Sequence, residues 1–82
     1  MATKKTEAQR ERWNRAASVV LAATRRDKDV SQEMLADRLG VSRDVVANIE
    51  AGRRKIEVSD LIMIARALGV DPVDLFGRVL RW

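Results

Sequence analysis

The chain has 82 residues, room for one small domain, and its 46% hydrophobic content is enough to build a core. It has no Cys and no His, which removes disulfide frameworks, Cys/His zinc sites, thiol nucleophiles and every Ser-His-Asp arrangement, and with one Phe, two Trp and no Tyr it is a poor stacking platform for single-stranded nucleic acid. The formal charge is +4, with an excess of five bases over acids in residues 1–28 and an excess of one acid in residues 29–82, so a polyanionic partner and a merely solvated helix face are both open readings.

Residues 1–6 are small and polar and read as a flexible arm. The charged residues that follow them do not make the apolar run of a signal peptide, and no apolar stretch approaches the ~20 residues of a membrane span. A soluble, cytoplasmic protein with no membrane association is therefore expected. A first helix is predicted over 7–26, because Trp13, Ala17, Val20, Leu21 and Thr24 recur on one face while Arg and Glu fill the other. Trp13 is read as a core or interface residue, and Arg10, Arg12 and Arg15 as a solvated face.

Asp27-Lys28-Asp29 breaks that helix, and Ser31 offers an N-cap for a second one. Met34, Leu35, Ala36 and Leu39 form its apolar stripe, and Gly40 supplies the left-handed residue that closes it. Ser42 is the next cap candidate. Val45, Val46 and Ile49 make the inward face of a third helix ending at Gly52, and Arg53-Arg54-Lys55 follows as a basic loop.

A fourth helix is predicted over 57–68, with Leu61, Ile64, Ala65 and Leu68 inward and Gly69 at its stop. Asp71-Pro72-Val73-Asp74 starts a fifth, since Asp is a good cap, Pro is pre-set for the first helical position and a second acid suits the helix dipole. Gly77 is expected to end that helix, leaving residues 78–82 as a tail. No segment alternates with period two. The expected fold class is therefore all-α: five short helices, with 7–77 as the folded domain between the arm and the tail.

The stretch from Ser31 to Glu50 is the informative one. Two short helices are joined by a tight Gly-containing turn, and Ala36 is small enough for a close crossing. The outward side of the second carries Arg43, Asp44, Ala47 and Asn48, with no large apolar residue. That is the layout of a helix-turn-helix, whose second helix enters the DNA major groove.

The combination Gln32-x-x-Leu35-Ala36-x-x-Leu39-Gly40-Val41-Ser42, then Ile49-Glu50-x-Gly52-x-Arg54, then Leu61-x-x-Ile64-Ala65-x-Ala67-Leu68-Gly69-Val70-Asp71-x-x-x-Leu75-Phe76, resembles the lambda-repressor and Cro-type, or XRE, helix-turn-helix family across about residues 17–76. The resemblance implies a compact five-helix DNA-binding fold. It implies base contacts from Arg43, Asp44, Ala47 and Asn48. Arg43 is suited to guanine, Asn48 to adenine, the Ala47 methyl to thymine, and Asp44 either to cytosine or to orienting Arg43. It implies phosphate contacts from Ser31, Gln32, Ser42, Arg53, Arg54 and Lys55. The two serines also have capping as an alternative duty, and Gln32, Arg43 and Asn48 have simple solvent exposure. Arg25 and Glu50 are implied to form a structural ion pair.

Two departures from the family pattern stand out. The first helix begins well upstream of the usual start, and Asp29 stands where the family's linker has Gly, which bears on the angle between the first two helices.

One recognition helix reads too few bases for strong selection, so a homodimer on a near-palindromic double-stranded operator is expected. Leu75, Phe76, Val79, Leu80 and Trp82 are the candidate dimer surface, with packing on their own core as the alternative. No metal, cofactor, small-molecule ligand or catalytic group is expected. The expected function is a transcriptional regulator associated with the nucleoid, foremost of the restriction-modification controller type, with RNA polymerase as a possible further partner. The alternatives are a phage Cro-like repressor and an antitoxin that binds both DNA and a toxin protein.

Overall fold

The computed structural model describes residues 3–82. Five helices follow in chain order: α1 (Lys4–Asp27), α2 (Gln32–Leu39), α3 (Arg43–Glu50), α4 (Val58–Leu68) and α5 (Pro72–Arg81). Among the described residues there is no strand, and no helix is long and apolar enough to cross a membrane.

Side chains close most helix starts. Thr3 Oγ1 accepts from the Thr6 N–H, Ser31 Oγ from that of Met34 and Asp71 Oδ1 from that of Val73. Each such cap contributes about 1 kcal/mol by satisfying an otherwise orphaned donor. At the start of α4, Asp60 Oδ2 accepts from the Glu57 N–H at 2.9 Å. Gly40 (φ 71°) and Gly69 (φ 72°) end α2 and α4 in the left-handed conformation that a Cβ disfavours.

The central half of α1 is the spine of the core. Ala16, Ala17, Val20 and Leu21 pack with Leu35 and Ala36 of α2, Val46 and Ile49 of α3, Ile64, Ala65 and Leu68 of α4, and Leu75 and Val79 of α5. Polar clasps add to this: Arg78 Nη1 donates to Thr24 Oγ1 at 2.9 Å, and Arg38 Nη1 donates to the Ala67 carbonyl at 2.9 Å.

Several expectations need correction. Thr3 caps α1 and Glu7 lies in its first turn, so helix replaces the expected arm from Lys4 onward; the remainder of that arm, Met1 and Ala2, lies outside the described residues. The expected tail at 78–82 is helical to Arg81, because Gly77 does not end α5. A helical Gly costs about 1 kcal/mol against Ala, and burying Val79 returns about 1.5–3 kcal/mol. Leu75 and Val79 are 1% and 5% exposed, packed in their own core and unavailable to a partner. Met34, read as part of the apolar stripe of α2, is 44% exposed. Trp13 is 41% exposed, so of its two readings, core and interface, the core one is set aside, and the Arg12 guanidinium lies 5.4 Å from its ring centre.

Asp29 resolves the departure at the first linker. It adopts φ 56°, a left-handed conformation that Gly takes without penalty, and its N–H bonds the Arg26 carbonyl at 2.9 Å. Asp is among the few residues that tolerate this region.

Candidate nucleic-acid interface

The turn between α2 and α3 fixes how α3 is presented. After Gly40 reverses the chain, the Val41 N–H bonds the Ala36 carbonyl at 3.0 Å, and extended backbone at Ser42 launches α3. Val46 and Ile49 are buried, which rotates the opposite side of α3 outward. Arg43, Asp44 and Asn48 are exposed there, and Ala47 is half-buried between them. Ser42 holds the N-cap position, but its hydroxyl makes no capping bond. That hydroxyl is exposed at the tip of the helix-turn-helix, whereas the Ser31 hydroxyl is engaged as the α2 cap. Among the described residues Asp44 makes no ion pair with Arg43.

Behind α3 lies a buried polar network. Arg25 donates from Nε to Glu50 Oε2 at 2.6 Å and from Nη2 to Glu50 Oε1 at 2.9 Å, while Nη1 donates to the Val30 carbonyl at 2.7 Å. Gln32 Nε2 also donates to Glu50 Oε1, at 3.0 Å. Burial works to raise the Glu50 carboxyl, but the bonds from Arg25 and Gln32 and the charges of Arg25 and Arg26 outweigh it and hold Glu50 below its ordinary value. Arg25 is held charged by its bond to Glu50 against the pull of burial. One forked guanidinium thus joins the end of α1, the α1–α2 linker and the end of α3.

Gln32 is a phosphate ligand in the sequence reading. Its amide nitrogen carries two hydrogens, of which Glu50 takes one, so the other remains available at the start of α2. Arg53, Arg54 and Lys55 are exposed in the loop after α3. The backbone N–H groups of Arg53 and Arg54 both bond the Asn48 carbonyl, at 2.9 and 3.3 Å, so this basic loop is tied to the recognition helix. The exposed surface combines the polar face of α3, the Gln32 amide at the start of α2 and the three cations of the loop after α3. That geometry defines a helix-turn-helix DNA-binding domain.

The comparisons agree. The chain belongs to the helix-turn-helix family whose model matches residues 21–75. It is 41% identical over 54 residues to the uncharacterized HTH-type transcriptional regulator y4dJ of Sinorhizobium fredii, covering 66% of this chain and 70% of that one. It is 38% identical over 47 residues to the control protein C.BamHI of Bacillus amyloliquefaciens, covering 57% of this chain and 58% of that one. Its fold is similar to the restriction-modification controller C.Esp1396I, solved as a tetramer with its natural 35 base-pair operator, at TM-score 0.77 and 26% identity, covering 84% of this chain and 91% of that one.

Of the expected dimer surface, Phe76, Leu80 and Trp82 remain exposed, the first two at 49% and 52%. Phe76 and Leu80 line an apolar groove of about 510 Å³ with Trp13, Ile56, Val58 and Leu61. Sequence reasoning missed Val58, Ile62 and Val73, all exposed apolar residues of α4 and α5. The available signal was that Ile62 falls off the inward set of its helix. Among the described residues no carboxylate cluster could hold a metal ion.

Proposed function

We propose that this protein is a sequence-specific regulator of transcription that binds double-stranded DNA as a homodimer on a near-palindromic operator, in the manner of a restriction-modification controller. The observation that carries this reading is the outward face of α3, where Arg43, Asp44, Ala47 and Asn48 project from a helix locked to the core by Val46 and Ile49. Arg43 offers a bidentate fork to guanine O6 and N7, Asn48 a matching pair of groups to adenine, and the Ala47 methyl a contact for thymine. Ser31, Ser42, Gln32, Arg53, Arg54 and Lys55 hold the phosphates to either side and set the register.

A single module of this size gives a small footprint, and a two-fold pair doubles it. The exposed apolar residues Phe76, Leu80 and Trp82, with Val58 and Trp13 beside them, are the proposed pairing face. Two recognition helices then stand about 34 Å apart, one turn of DNA. The protein works by occupancy and without turnover, in the cytoplasm on the nucleoid, and RNA polymerase is the partner that would read a bound operator as activation. Similarity to the control protein C.BamHI and to C.Esp1396I supports the controller type.

Selection of bound duplexes from random DNA, followed by the mass of the complex, tests this. Two inverted half-sites and two chains per site are expected. No enriched sequence, or a single chain on a single half-site, would count against it.

A further inference from the structure

A cleft of about 650 Å³ lies between α1 and the loop after α3. Arg15 borders it from α1, and Arg53, Arg54 and Lys55 border it from the loop. Among the described residues none of these four cations has a carboxylate within ion-pair distance. Two acids also line the cleft, but Glu50 is already neutralised by Arg25, which leaves Glu11 as the one free opposing charge. Ser18 is 3% exposed on the same face of α1, three residues beyond Arg15, and its Oγ has no hydrogen-bond partner. It lies under the turn at Gly52, where an added Cβ would sit 3.9 Å from that oxygen. Four cations without carboxylate partners on one cleft are suited to a phosphoryl oxygen group.

We infer that this cleft takes a DNA backbone phosphate flanking the half-site read by α3, with Arg15 as its charged ligand from α1. The inference rests on the DNA-binding reading and adds a contact from the upstream part of α1, outside the helix-turn-helix. Geometry favours the backbone over a free phosphorylated molecule. The cleft's outer wall is the loop tied to Asn48, so it moves with α3, and a helix lying in the major groove carries its flanking loop over the sugar-phosphate edge. Arg12 is a built-in comparison: it has the same charge on the same helix, but it lies over Trp13 and outside the cleft.

The test measures binding of the full chain to a duplex of about 30 base pairs, with salt varied from about 50 to about 200 mM. Arg15→Gln is expected to weaken binding about five- to tenfold and to lower the salt slope by about one, as for one lost phosphate contact. Arg12→Gln should change both far less than Arg15→Gln. Equal effects of Arg15→Gln and Arg12→Gln overturn the inference. Wild-type binding that Arg15→Gln leaves intact overturns the cleft contact alone, whereas absence of any duplex binding overturns the DNA reading with it. Pyrophosphate provides a second arm, followed through the backbone amide signals of Gly52 and Arg53. Saturation lost in Arg15→Gln, with duplex binding unaffected, assigns the cleft to a free phosphorylated molecule and overturns the backbone contact.

Discussion

Arg25 and Glu50, twenty-five residues apart, meet through two hydrogen bonds of 2.6 and 2.9 Å, and Gln32 adds a third to the same carboxylate. Their side chains are 10% and 7% exposed. The pair fixes where α3 ends relative to α1 and holds the amide that opens α2. It therefore links the fold to the DNA-facing surface.

Glu50→Gln should cost about 3–5 kcal/mol, because it leaves the Arg25 charge buried without its partner. The melting temperature by circular dichroism checks this, and a drop on the order of 10 °C or more is expected for a domain of this size. The pair also sets a pH dependence. The Glu50 carboxyl is depressed in the fold, so its contribution is complete above the unfolded glutamate value and fades as pH falls through the lower folded value. The wild type should thus lose stability with acid below about pH 4, and the Glu50→Gln variant should lack that component of the loss. Arg25 is raised, so its contribution would fade only in strong alkali.

Arg54→Ala should weaken binding to all duplexes alike and reduce the slope of log affinity against log salt by about one. Arg43→Ala should instead cost about 1–3 kcal/mol on the preferred sequence and little on others. Competition titrations at several salt concentrations separate the two. A uniform loss in Arg43→Ala would remove it from base reading.

Leu80→Asp places a charge on an exposed apolar residue, so folding should persist while pairing fails. Sedimentation should report a monomer with an unchanged helical spectrum, and operator binding should lose its steepness with protein concentration. A variant that remains a dimer would move the interface elsewhere.

Asp29→Gly should stabilise the fold by up to about 1 kcal/mol, since Gly adopts the left-handed conformation without a Cβ penalty. Asp29→Val should do the opposite by about 1–2 kcal/mol, because a β-branched residue fits that region worst. Denaturant midpoints measured on the three proteins order them.

Much of this was legible in the sequence where local chemistry decides. Ser31, Gly40 and Gly69 punctuate the helices through their own backbone and hydroxyl preferences, and the alternation of buried and polar positions on α3 marks its outward face. The helix-turn-helix could therefore be placed before any tertiary contact was known. The misreadings share a cause: distant packing overrode a local signal. Gly77 looks like a stop, yet α5 continues because Val79 reaches the core. Leu75 and Phe76 are adjacent and alike in character, and only the packing of α5 against α1 and α4 decides that one is buried and the other exposed. The bond from Gln32 to Glu50, eighteen residues away, is likewise a contact that only the fold reveals. The cleft beside Arg15 was also invisible, because its walls lie almost forty residues apart in the chain.

The central claim is that the outward face of α3 reads base edges in the major groove. Sites selected from random duplexes by the wild type and by Arg43→Ala, compared position by position, test it most directly. The account predicts two inverted half-sites about 10 base pairs apart, each with a guanine whose preference disappears in the variant while the other positions persist. An identical selected motif from both proteins would contradict it.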